Sequence, residues 1–160
     1  MRMFNTTVGR LVLTACVAGL IAAAIGGVSL ARAGGTNHGR TISVTEVDTG
    51  GKFISITHTA NGAAGDEFIF SANLRQRGHN VGTLNAQCTL MLHGKLQCEG
   101  TFKLMGGTIT GTALLRNNEP NGTTDHIAIT GGTGTFRGAS GQIDSTSIND
   151  NVSRDVIRLD

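Results

Sequence analysis

From residue 41 onward the chain is a series of short apolar–polar alternations cut by glycine, with almost no helical periodicity. The alternation is clearest in the middle. Leu84, Ala86, Cys88, Leu90 and Leu92 share one face, opposite Thr83, Asn85, Gln87 and Thr89. Beyond Leu92-His93-Gly94, residues Leu96, Cys98, Gly100, Phe102 and Leu104 repeat the pattern against Lys95, Gln97, Glu99, Thr101 and Lys103. A hairpin of 81–92 with 95–105 turning at that tripeptide pairs residues whose numbers sum to 186. Cys88 then faces Cys98 across the strands, on the apolar side.

Similar runs fill the rest. The stretches 41–47 and 52–58 flank Asp48-Thr49-Gly50-Gly51, which predicts a hairpin turn. A loop over 61–65 leads into 66–74, where Phe68, Phe70, Ala72 and Leu74 alternate with Glu67, Ser71 and Asn73. Gly106-Gly107 opens a strand reaching Leu115, a polar loop over 117–122 holds the only proline, and strands over 126–130, 141–148 and 152–159 follow. Eight or nine short strands without a long helix read as an antiparallel sandwich or a closed barrel. Closure removes exposed edges, which favours the barrel for a Thr- and Gly-rich chain with few charges.

The first 33 residues follow a different pattern. Arg2 and Arg10 accompany an uncharged run from Leu11 to Leu30, and Ala31-Arg32-Ala33 puts small residues where a signal peptidase cuts. This predicts a secretory signal over 1–33, cleavage before Gly34, and an exported, secreted single domain over 34–160 with no membrane span of its own. The competing reading is a retained anchor, because the apolar run nearly reaches bilayer length.

Export alters the charge and cysteine arguments. The chain carries 13 Lys and Arg against 11 Asp and Glu, but three of the basic residues and none of the acidic ones lie in the leader. What remains is close to neutral and gives no footing for nucleic acid. Trp and Tyr are absent, so stacking platforms for bases or sugars are poorly supplied. Cys88 and Cys98 are the only cysteines outside the leader, and in an exported chain they read first as a disulfide. The alternative is a free, reactive Cys88. His38, His58, His79, His93 and His126 are scattered, with no Cys-x-x-Cys, so neither a metal site nor a cofactor is predicted. Asn121-Gly122-Thr123 and Asn151-Val152-Ser153 are acceptor sequons, relevant in a glycosylating host.

The most specific segment runs from Ile129 to Ile143, where Gly131, Gly132, Gly134, Gly138 and Gly141 surround a single aromatic, Phe136. A phosphate cradle would need a helix N-terminus or a Walker lysine, and neither follows. The glycines are instead structural, with Phe136 plugging the barrel or its end. The stretch 130–143 resembles the signature shared by plant allene oxide cyclases and dirigent proteins. Ser43-Val44-Thr45-Glu46-Val47-Asp48 is similar to the first strand of the cyclases, Gly65-Asp66 to the start of a later strand, and Val81-Gly82 through Cys88 to a central one. Together these blocks cover most of 34–160 in the right order.

The resemblance implies an eight-stranded antiparallel β-barrel with a largely apolar cavity, and homo-oligomers. It implies that Glu46 matches the glutamate that polarises substrate chemistry, Asp48 an asparagine that helps hold a water, and Cys88 a cavity cysteine. A second such asparagine falls at Ala72, beside Asn73, and the cyclase's cavity tyrosine has no counterpart. The expected function is binding of a small hydrophobic molecule against Phe68, Phe70, Leu84, Leu90 and Phe102, with Glu46 and Asp48 as the groups for cyclisation or isomerisation. A bridged Cys88 offers no thiol, so allene oxide cyclisation itself is not expected. Two plainer readings stand beside this one: Glu46 as a charge at a strand end, and a binding or structural barrel that keeps the scaffold without the chemistry.

Overall fold

The computed structural model describes residues 39–59, 62–117 and 119–160, so the predicted signal over 1–33 and its cleavage site lie outside the described residues. Eight strands follow in order: β1 (Arg40–Ile54), β2 (Glu67–Gln76), β3 (His79–Met91), β4 (Lys95–Leu104), β5 (Gly107–Arg116), β6 (Thr124–Gly132), β7 (Gly141–Asn149) and β8 (Val152–Leu159). Each pairs antiparallel with its chain neighbour, and β8 returns to β1 to close the barrel. Among the described residues no helix is long and apolar enough to cross a membrane.

The hairpin expected at Asp48–Gly51 does not form. β1 continues through it, pairing Thr45–Asp48 with β2 on one side of Thr49 and Gly50–Ile54 with β2 on the other. The run is a β-bulge, in which one extra residue is accommodated without reversing the chain. Gly50 N donates to Asp48 Oδ1 at 2.8 Å, and Thr49 Oγ1 donates to the Ser71 carbonyl at 2.8 Å. Turn chemistry and bulge chemistry use the same residues. A β2 long enough to pair with both halves decides between them.

The central hairpin follows the predicted register, with Cys88 opposite Cys98, Leu90 opposite Leu96 and Ala86 opposite Gly100. A 3₁₀ turn over Leu92–Gly94 reverses the chain. The two Sγ atoms are bonded, with the Cα atoms 4.0 Å apart. Bridging residues ten apart in sequence restricts the unfolded chain, and the loop-entropy relation puts the effect at about 2–3 kcal/mol. Urea unfolding of the Cys88→Ser/Cys98→Ser double variant is expected to show a loss of that size. A midpoint equal to wild type would show that the bridge adds nothing to the hairpin's own contacts.

The interior divides into a packed end and a hollow end. Ala72, Leu84, Phe102 and Ile109 stand directly opposite one another on β2 to β5. With Val44, Leu74, Ile129, Ile143, Ile157 and Leu159 they form one buried cluster. Phe136, on the short turn Gly134–Phe136, closes this end at 1% exposure, and the Arg40 guanidinium lies 5.4 Å from its ring centre. One inward row further along, the residues on β2 to β5 are Phe70, Ala86, Gly100 and Gly111, and the next row is Phe68, Cys88, Cys98 and Ala113. Three side chains of one or no carbon atom in the first of these rows cannot fill the barrel's width. A chamber is left.

The connection from β1 to β2 is fixed at the hollow end by Asp66, whose side chain is solvent-inaccessible. Its carboxylate accepts from Ile56 N and Thr57 N at 2.7 Å, Ala63 N at 2.8 Å and Thr57 Oγ1 at 3.0 Å. Those bonds, the Thr57 backbone N–H first, hold its pKa below the ordinary carboxylate value against the opposing effect of desolvation.

Candidate functional site

The chamber has a volume of about 200 Å³ and two unlike walls. On the β2–β5 side it meets Phe70, Leu84, Ala86, the Cys88–Cys98 bridge, Phe102 and Ala113. On the other side stand Glu46 from β1, Asp125 from β6, Ser145 from β7 and Ser153 from β8. Strand register produces that polar wall. Asp125 lies opposite Ser145, Ser145 opposite Asp155, and Glu46 opposite Ser153, all at inward-facing positions.

Asp155 lies one inward position deeper than Ser153, where the chamber meets the packed core, and is fully buried opposite Val44. Neither of its carboxylate oxygens has a hydrogen-bond partner of normal geometry. Burial raises its pKa to about 6, while the Ser145 hydroxyl and the Glu46 carboxyl, drawn near without closing such a bond, offset part of the rise. Glu46 is pushed up to about 8, first by desolvation, then by the charge of Asp155 and a proton shared toward it, and last by Asp48. Two carboxyls so close in a poorly solvated place cannot both ionise easily, so at neutral pH the pair holds a proton. Asp125, two strands away from Asp155, is raised by burial and by Glu119, with His126 and Arg116 opposing.

Glu46 therefore faces the interior. Asp48 sits at the mouth, in a shallow depression with Glu46, Phe68, Phe70, Asp150 and Asn151, and its Oδ1 is engaged by the bulge. Of the five predicted contact residues, Phe70, Leu84 and Phe102 line the chamber. Phe68 borders the mouth and stacks on Phe70 with ring centres 5.7 Å apart. Leu90 lies at the end of β3, where its Cδ2 and the Phe53 ring border Gly62 outside the chamber. Asp125, Ser145 and Asp155 were missed by sequence reasoning. The signal was present in β8, where Asp155 falls in step with Ile157 and Leu159, a charge on the apolar face.

A second polar cluster lies on the outer surface. Asp144 is held at about 2 by hydrogen bonds from Gln142, His126 and Arg158. Half-buried under the exposed His126 and Arg158, it reads as a surface ion-pair network. Among the described residues no three His, Cys, Asp or Glu side chains converge as a metal-ligand set.

No protein-family model and no curated protein sequence matches the chain. Solved structures do. A structure described as pyocyanin demethylase superposes with a TM-score of 0.66 at 22% identity, over 76% of this chain and 100% of its own. Two pterocarpan synthase dirigent proteins superpose with TM-scores of 0.59 and 0.57 at 17% and 16% identity, each over 75% of this chain and over 86% and 93% of theirs. Identities this low establish shared architecture and leave chemistry to the residues of the site. The closed eight-stranded meander, the glycine-rich turn carrying Phe136 and these superpositions agree: in fold, the chain is a dirigent-like barrel of the allene oxide cyclase type.

Proposed function

We propose that this barrel receives one small, largely apolar molecule in its hollow end, and that Glu46 and Asp155 act on it as a shared-proton acid–base pair. The observation that carries the reading is a chamber whose apolar wall faces the half-buried Glu46 and Asp125, with the fully buried Asp155 one position deeper. At about 200 Å³ it has room for about seven waters by their share of liquid volume, and so for a molecule of roughly one or two rings. A protonated Glu46 beside an ionised Asp155 can deliver a proton to one atom of a bound molecule while a neighbouring carboxylate accepts one from another. That is the chemistry of an isomerisation or ring closure, and it needs no group beyond these side chains. The fold neighbours, named for pyocyanin and for pterocarpan synthesis, support a barrel that holds a small molecule. Secretion of the domain over 34–160, with its disulfide formed on export, belongs to the same reading.

A second reading, binding without turnover, is favoured by one observation. Cys88 is consumed in the bridge, so the thiol that the resemblance placed in the cavity is unavailable. One experiment separates the two. The purified domain is incubated with a fractionated small-molecule extract, retained compounds are identified by native mass spectrometry, and each is followed for conversion by wild type and Glu46→Gln. Retention with conversion that falls by roughly 10²–10⁴-fold in the variant supports catalysis. Retention without conversion in either supports the binding barrel. A domain that retains nothing while remaining folded defeats both.

A further inference from the structure

Each charged residue that lines the chamber is acidic. Glu46 and Asp125 belong to its polar wall, Glu99 borders it from the exposed, outward side of β4, and among the described residues no Lys, Arg or His lines it. One position deeper, Asp155 is completely buried, and neither of its oxygens is in a hydrogen bond of normal geometry. A buried carboxylate normally has a cation or several donors against it, because an unpaired one is strongly unfavourable. The nearest side chains supply only another acid, Glu46, and one hydroxyl, Ser145. The opposite wall offers the faces of Phe70 and Phe102. Aromatic faces attract cations, and their edges and the leucine accept a ring system.

We infer that the molecule this chamber fits carries a protonated nitrogen, directed at Asp155 and Glu46, on a small ring system that rests against Phe70, Leu84 and Phe102. The inference rests on the ligand-binding reading above and adds the ligand's charge. An ammonium brings up to three donors and cancels the charge of the pair. An alcohol of the same shape brings one donor and no charge, and charge-assisted bonds are about twice as strong as neutral ones. An anionic ligand would meet Glu46 and Asp125 with no cation among the described lining residues, Arg116 and His126 acting on Asp125 only from outside that lining.

The test is calorimetric titration of the full domain with 2-aminoindane and its neutral isostere 2-indanol. Wild type is expected to bind the amine about tenfold or more tightly than the alcohol. In Asp155→Asn the ratio is expected to fall to within about twofold while the alcohol still binds, since the amide keeps shape and removes charge. Glu46→Gln provides the same comparison if Asp155→Asn loses its fold by circular dichroism. Alcohol binding as tight as amine binding in wild type overturns the charge assignment and leaves the small-molecule barrel standing. A tenfold preference that survives both substitutions places the cation elsewhere and overturns the assignment to this pair. Failure of both probes to bind the folded wild-type domain overturns the ligand-binding reading together with this one.

Discussion

Replacing Gly132 with alanine is expected to destabilise the barrel by about 3 kcal/mol or more, whereas Gly131→Ala next to it is expected to change stability by less than about 1 kcal/mol. A Cβ on Gly132 would lie 2.3 Å from the Phe136 carbonyl oxygen, 2.7 Å from the Thr108 carbonyl oxygen and 2.9 Å from Phe136 Cβ. These atoms belong to two backbone segments held together by their own hydrogen bonds, including Thr133 N to Thr108 O at 2.9 Å and Phe136 N to Thr133 O at 3.0 Å. No flexible side-chain tip is available to yield. Relief must come from moving the turn over Gly134–Phe136, and with it the aromatic plug over the packed core. On Gly131 the same Cβ meets only Thr110 Oγ1 at 3.5 Å, an ordinary contact. Urea midpoints of the two variants measure the contrast directly. Equal midpoints would show that the glycine run tolerates side chains and that Phe136 is not held by it.

Glu46→Gln is expected to raise stability above that of wild type near pH 8 by about 1–4 kcal/mol, with the two proteins converging near pH 4. In the folded chain Glu46 and Asp155 titrate at about 8 and about 6, against ordinary values of 4.5 and 3.8. Between those limits the folded state binds more protons than the unfolded one, so wild-type stability falls as pH rises from about 4 to about 8. Asp125, also raised, contributes with the same sign. Asp66 and Asp144 are lowered, so their contribution is present above the ordinary carboxylate range and disappears only as pH falls through their depressed values. They cannot produce a slope between pH 4 and 8. Thermal melts of wild type and Glu46→Gln across that range test the pair. A wild-type profile flat from pH 4 to 8 would show that both acids ionise normally. A site that costs the fold stability at working pH is what is expected of groups kept for chemistry or binding.

Most strands, and the pairing of β3 with β4, were legible because inward and outward positions largely alternate. The Leu84–Leu92 and Leu96–Leu104 faces, joined by the turn at Leu92-His93-Gly94, determine the β3–β4 register and bring the cysteines together. Closure was less legible, since the same alternation serves a sandwich. The resemblance around Phe136 supplied it. Asp48–Gly51 misled for a local reason: glycine after a short polar pair serves a turn or a bulge equally well, and only the length of β2 distinguishes them. Within the site, Glu46 was named only through the resemblance of 43–48 to the first strand of the cyclases. Its partner was not, because Asp155 lies 109 positions further along the chain and becomes a neighbour only when β8 returns to β1. Leu90 had the right face but the wrong height. Alternation reports which side of a strand a residue is on and carries no information about distance along the barrel axis.

The separation of a packed end from a hollow one has a consequence for how such a protein can change over generations. The plug, the bulky rows and the glycine turn hold the frame together, and of the buried cluster only Leu84 and Phe102 also line the chamber. Ala86 and Ala113 project into the chamber on the apolar wall and belong to its outline more than to its support. Enlarging either one redraws the space a guest occupies while the frame at the other end stays intact. Descendants of one barrel can thus exchange guests by a few such steps, keeping their architecture while their sequences drift far apart.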